Sequence, residues 1–239
     1  MTLIRISKLL SEQGICSRRE ADSFIEKGFV YVDGVKVTQL GTKARTNQKI
    51  ELRGKGKIAQ SEKKTILLNK PINFVSHADD EKKYTSALTL ITPNNYHGRE
   101  SLENSFFNLA PAGRLDIEST GLIVLTEDGV VAKKIIDANS YVEKEYLVRV
   151  SGNLKKNGLQ LLNYGLKLDD KLLKKAKVSW INDNQLKFIL TEGKKRQIRR
   201  MCGLVGLDVI GLKRVRIGNV MLGDLPLGKW RFLKKNEFF

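Results

Sequence analysis

The chain has 239 residues, 41% of them hydrophobic and 29% charged, as expected of a globular protein with one sizeable core and room for a small module. Its charge balance is unusual: 43 Lys and Arg against 26 Asp and Glu leave +17, which points to a polyanion, either nucleic acid or an anionic membrane surface. No apolar run approaches the roughly 18 residues that span a bilayer, Arg5 and Lys8 interrupt any signal-peptide core, and Cys16 and Cys202 lack CxxC or metal-ligand spacing. These exclusions favour a nucleic-acid partner, no membrane, no metal and a reducing cytoplasm.

The charge is unevenly spread. Residues 1–64 carry 14 basic and 7 acidic side chains, residues 65–130 carry 5 and 9, and residues 131–239 carry 24 and 10, so the basic surface must come from both ends of the chain. Ile6, Leu9 and Leu10 predict a short amphipathic helix that stops near Gly14. Ser17 with Glu20 is a capping box opening a second helix, Arg18 to about Lys27, which Gly28 ends. Val30 to Val37 alternates around Asp33-Gly34, the signal for a hairpin with a type I′ turn. Residues 1–55 therefore read as a separate module. Residues 56–64, rich in glycine and charge and without periodicity, read as a flexible linker. Residues 65–239 read as a larger domain whose first strand begins at Thr65-Ile66-Leu67-Leu68. The polar, asparagine-rich stretch between Ala78 and Asn108 is expected to be a long surface loop.

Three segments carry the chemistry. In Gly113-Arg114-Leu115-Asp116 a lone carboxylate stands on a glycine-bounded turn just before the buried-strand run Leu122 to Leu125, where it can face a cleft. Glu143 to Val150 alternates like a half-buried strand and places Lys144, Tyr146 and Val148 on one face. After Gly193 the spacing is helical, with Ile198, Met201, Cys202 and Val205 in one apolar stripe. Cations fill the other faces, Lys195 with Arg199 and Arg196 with Arg200 at i, i+4, costing roughly 0.2–0.5 kcal/mol per like-charged pair. No acid occurs from Gly193 to Leu207, so phosphates are expected to supply the counter-charge from outside.

These segments, with Leu68-Asn69-Lys70-Pro71 upstream, resemble the RNA pseudouridine synthases, in particular the RsuA/RluB/RluE/RluF branch that modifies ribosomal RNA. The family's GRLD motif is complete, its lysine-x-tyrosine strand is present, and its EGRKRQVRRM run stands here as EGKKRQIRRM. Four motifs in the family's order, over roughly residues 3 to 233, are a far more specific signal than GRLD alone. The resemblance implies an α+β protein: an N-terminal helix-hairpin RNA-binding module of the ribosomal protein S-four type, then a domain with a mixed, mostly antiparallel sheet flanked by helices. It implies isomerisation of a uridine in a structured stem-loop of ribosomal RNA, of the large subunit, by a monomer that needs no cofactor.

The site residues implied are Asp116 as the essential carboxylate, Arg199 as its counter-ion, and Tyr146 stacked on the flipped base. Arg114 would fill the vacated space or hold its phosphate, and Ile198 would pack under the pocket. Leu115, Ile117, Lys144, Arg196 and Gln197 complete the RNA-facing set, while Lys70 and Pro71 look structural. In the module, Arg5, Lys8, Arg18, Arg19 and Lys36 match positions that present cations to RNA. Whether Asp116 attacks the ribose carbon or removes a proton there stays open, as do small-subunit ribosomal RNA and transfer RNA as substrates. A non-catalytic assembly factor would keep the basic surface but need not keep Asp116, Tyr146 and Arg199 together. A nuclease would show an acidic metal cluster or histidines, and His77 and His97 lie in a polar segment that reads as exposed. Glu118 is too close in the chain to Asp116 for a glycosidase pair.

Overall fold

The computed structural model describes residues 2–77, 83–98, 102 and 108–239. In the N-terminal part, α1 (Ile6–Glu12) and α2 (Arg18–Glu26) pack on a small sheet built from Val30–Val32, Val35–Val37 and Ile50–Leu52. The shared core contains Ile6, Leu10, Phe24, Ile25 and Val30, each large side chain contributing roughly 1.5–3 kcal/mol by leaving water. The capping box forms in full: Ser17 N donates to Glu20 Oε2 at 2.5 Å and Glu20 N to Ser17 Oγ at 3.3 Å. At the hairpin, Asp33 and Gly34 both have positive φ, 47° and 83°, as the type I′ turn requires.

The segment expected to be a flexible linker is ordered. Lys55–Ser61 forms helix α3, with Gly56 buried against the Phe29 ring and Gln60 Nε2 donating to Asp128 Oδ1 at 3.2 Å. Lys63 is ion-paired with Glu20. Composition signalled a coil here because the contacts that order α3 all come from distant parts of the chain.

The larger domain is built on one mixed sheet, in the order Lys177–Asn182, Gln185–Leu190, Lys144–Gly152, Leu207–Ile217, Thr120–Thr126, Thr65–Lys70, Trp230–Phe232. Pairings along it are antiparallel except that of Thr120–Thr126 with Leu207–Ile217, which is parallel and only two residue pairs long. That junction needs a glycine. Gly121 has φ +102°, and a Cβ there would sit 2.2 Å from the Arg214 carbonyl oxygen, a backbone atom that cannot step aside. Helix α4 (Gly129–Ile136), a short α5 (Gly158–Asn163) and α6 (Gln197–Leu204) flank the sheet. On α6 the stripe Ile198, Met201, Cys202 and Val205 is buried as its spacing predicted, but the helix starts at Gln197, later than the pattern suggested, because Arg196 takes a left-handed conformation.

Part of the stretch expected to be a long surface loop is packed structure. Residues 83–98 include a strand at Thr85–Ser86 and 3-10 turns at Ala87–Leu90 and Pro93–Asn95. Ala87 is buried, the Tyr96 ring lies 4.7 Å from that of Trp230, and Trp230 Nε1 donates to Thr92 O. Residues 78–82, 99–101 and 103–107 of that stretch lie outside the described residues.

Candidate active site

Asp116 sits on the loop leading into Thr120–Thr126, and that loop is pinned on both sides of it. The buried Ser76 hydroxyl accepts from Leu115 N and donates to Leu115 O, both at 2.8 Å. Asn73 N donates to Ile117 O, and Ser119 N to Asp116 O. From the sheet, buried Arg214 donates through Nε to Leu122 O at 2.6 Å and through Nη1 to Arg114 O at 3.4 Å. Fixing the backbone at this many points holds in place the loop that carries the carboxylate.

The surrounding cleft has a volume of about 1000 Å³. All ten cleft residues expected from the sequence line it: Arg114, Leu115, Asp116, Ile117, Lys144, Tyr146, Arg196, Gln197, Ile198 and Arg199. They arrive from three elements far apart in the chain. Tyr146 is half-buried and stands opposite Arg214 and Phe188 in the sheet register. Leu190 and Leu212 add apolar walls, and His77 lies exposed at the rim.

The cations are arranged differently from expectation. Arg199 donates through Nη1 to Val209 O and through Nη2 to Glu118 O, and its Nε lies 3.5 Å from the Glu118 carboxylate. No ion pair joins it to Asp116 among the described residues. Arg196 also reaches Glu118, at 3.1 Å, and Arg200 forms a two-pronged pair with Asp169. The acids missing from the α6 sequence are thus supplied by other elements of the chain; the exposed pairs of Arg196 and Arg200 contribute only ~0–1 kcal/mol each, while the Arg199 side chain is largely buried. Gln197 is buried and turned inward, accepting from Lys194 N and donating to Glu192, so it staples the loop before α6.

The cation that interacts electrostatically with Asp116 is Lys70, a charge role that the sequence motifs did not assign, and Arg214 lines the same cleft. Lys70 is fully buried, donates to the carbonyls of Pro71 and Phe74, and is pushed down to about 8 by burial; Asp116 opposes that fall and Arg214 adds to it. Lys144 is likewise pushed down to about 8, by burial first and then by Arg214 and Lys174, while its ammonium donates to Ile135 O at the end of α4. Arg214 did leave a signal: it alternates in phase with Leu212 along its strand, so a cation falls on the buried face. Ser76 left none.

Comparison with known proteins shows the family. Residues 64–203 match the RNA pseudouridylate synthase family, and residues 4–50 match the S4 domain. This chain belongs to the RNA pseudouridylate synthase family. The dual-specificity RNA pseudouridine synthase RluF of Escherichia coli K12 is 35% identical over 236 residues, covering 98% of this chain and 77% of the relative. The ribosomal large subunit pseudouridine synthase B of Bacillus subtilis is 32% identical over 98% of this chain and 93% of its own. A crystal structure of a pseudouridylate synthase superposes with a TM-score of 0.65 at 25% identity, covering 97% of this chain and 96% of that one. The enzyme is therefore an RNA pseudouridine synthase with an N-terminal S4 domain. Among the described residues, no helix is long and apolar enough to cross a membrane.

The module residues lie apart from the cleft. Arg5, Arg18, Arg19 and Lys36 are exposed, and Lys8 is half-buried and ion-paired with Glu12 on the same helix.

Proposed function

We propose that this synthase isomerises a uridine in a structured stem-loop of ribosomal RNA, of the large subunit, acting as a cytoplasmic monomer. The observation that carries the mechanism is Asp116: a half-buried carboxylate with no ion-pair partner within 4 Å among the described residues, in a cleft whose other charges are mainly cationic. The uridine leaves its stack, at a cost of a few kcal/mol. Its base packs on Tyr146, which returns roughly 1–3 kcal/mol. Arg114, exposed at the mouth, occupies the vacated space or holds the backbone phosphate. Asp116 then acts at the ribose carbon while the bond to the base nitrogen breaks, the base turns, and a bond to ring carbon forms; that carbon gives up its hydrogen as a proton to solvent and the freed ring nitrogen takes one up. Buried Lys70 supplies positive charge to this carboxylate from the sheet, where its dry setting strengthens the attraction, and Arg214 adds a second cation to the cleft. Arg199 holds the turn after Asp116 through Glu118 and is placed to exchange that contact for the substrate.

Residues 1–55 grip the RNA in this reading and residues 65–239 perform the chemistry. The test is Asp116→Asn, which removes the charge and little volume. Tritium release from carbon-tritiated uridine should vanish while RNA affinity stays within about twofold, well under the tenfold that 1.4 kcal/mol would bring. Substantial release by the variant removes Asp116 from its assigned role. Mapping pseudouridine in total RNA from cells with and without the gene identifies the target.

A further inference from the structure

Helix α4 joins the two halves of the molecule. Its C-terminal end, Ile135 and Ile136, forms part of the cleft wall, and Lys144 ties that end to the sheet. Its N-terminal end is held by the S4 module. Gly129 N donates to Glu20 Oε1 at 2.9 Å, so the acid that caps α2 through Oε2 also caps α4 through its other oxygen. Lys63 pairs with the same carboxylate, and Lys133 Nζ reaches the Ser11 hydroxyl and carbonyl at 3.3 and 3.4 Å. Burial alone would raise the Glu20 carboxyl, but the bonds from Lys63, Ser17 and Gly129 outweigh it and hold the group below the ordinary carboxylate range.

The approach is close enough to exclude a side chain. A Cβ on Gly129 would lie 2.3 Å from Ser17 Cβ and 2.6 Å from Ser17 Oγ. Ser17 Cβ is bonded directly to the backbone, so it can move only if the module moves. Gly129 is not in the left-handed region, and glycine is a poor helix residue compared with alanine. Its presence at the first position of α4 therefore serves the contact and not the helix. A rod of eight residues, about 12 Å long, then separates this contact from the cleft.

We propose that Gly129 and Glu20 are specificity-determining residues: by locking the S4 module onto α4 they fix the distance between the RNA gripped by the module and the cleft, and so select which uridine along the stem-loop is modified. This rests on the reading above that the module grips RNA. Neither residue touches the reacting atoms; both act through the position of the module.

The test uses the full-length enzyme and a stem-loop RNA carrying uridines at and beside the target position. Gly129→Ala should speed tryptic cleavage within residues 55–64, because α3 is held between the two halves. KM should rise about tenfold with kcat within about twofold, as weaker binding of about 1.4 kcal/mol with intact chemistry requires. The share of pseudouridine at neighbouring uridines should rise toward that at the target. Adding Ser17→Gly removes both atoms that collide and should restore slow cleavage, KM and product ratio together. Glu20→Gln combined with Lys133→Ala tests the same contact without an added Cβ, should the first variant fail to fold. An unchanged product ratio and KM in a variant whose α3 has become cleavable overturns the proposal, as does a tryptic pattern unchanged in every variant. A wild-type enzyme that makes no pseudouridine on this RNA counts instead against the substrate reading, and the cleavage comparison still reports whether the lock exists.

Discussion

Lys70→Met isolates the charge buried beneath Asp116. Methionine keeps the apolar stem and removes the ammonium. In the unfolded chain this lysine titrates near 10.5, whereas in the folded protein it is pushed down to about 8. Below pH 8 both states carry the charge, and the folded state bears the full cost of burying it. Between pH 8 and 10.5 the folded state has lost its proton and the unfolded state has not, so unfolding takes up a proton and stability rises with pH. The gap corresponds to about 3 kcal/mol. Wild type should therefore gain about 3 kcal/mol on Lys70→Met between pH 7.5 and 10.5. The carbonyls of Pro71 and Phe74, left without their donor in the variant, impose an offset that does not change with pH. Lys144 carries a similar shift in both proteins and cancels. Urea unfolding of the pair at several pH values measures the difference. Parallel stability curves would refute the assignment of a buried, depressed ammonium. Catalysis should run the other way: wild-type kcat declines above pH 8 as the charge beside Asp116 is neutralised, and the variant turns over slowly throughout.

Tyr146→Phe keeps the stacking face, so KM and kcat should stay within about threefold, while Tyr146→Ala should forfeit the roughly 1–3 kcal/mol of base stacking; abolished turnover in the Phe variant would assign the hydroxyl a chemical task. Ser76→Ala leaves both Leu115 backbone groups unpaired in a buried place, which should cost about 1–3 kcal/mol of stability and lower kcat through a loosened loop, read by thermal unfolding and single-turnover assays. Changing Arg5, Lys8, Arg18, Arg19 and Lys36 to Gln should flatten the plot of log affinity against log salt by roughly 0.7–0.9 for each phosphate that the module no longer neutralises. An unchanged slope would mean these side chains do not reach RNA.

Local patterns were enough to recover much of this enzyme. The Ser17–Glu20 capping box, the Asp33-Gly34 turn and the apolar stripe of α6 each depend on residues within a few positions of one another, so periodicity and turn chemistry state them directly. The motifs around Asp116, Tyr146 and α6 likewise named residues that prove to line one cleft. What local pattern could not supply were relations between distant segments. Helix α3 was invisible because its partners, Phe29 and Asp128, lie elsewhere in the chain, as does Glu20, which pairs with Lys63 just after it. The acids that pair with Arg196, Arg199 and Arg200 come from Glu118 and Asp169, so a run that looked unneutralised in sequence is paired in space. The charges around Asp116 were decided the same way, with Lys70 and Arg214 arriving in the same region on two different strands of the sheet. Side-chain identity sets which interactions are available to a residue; only the assembled sheet brings charges from distant segments near enough, and dry enough, for Coulomb forces to choose among them.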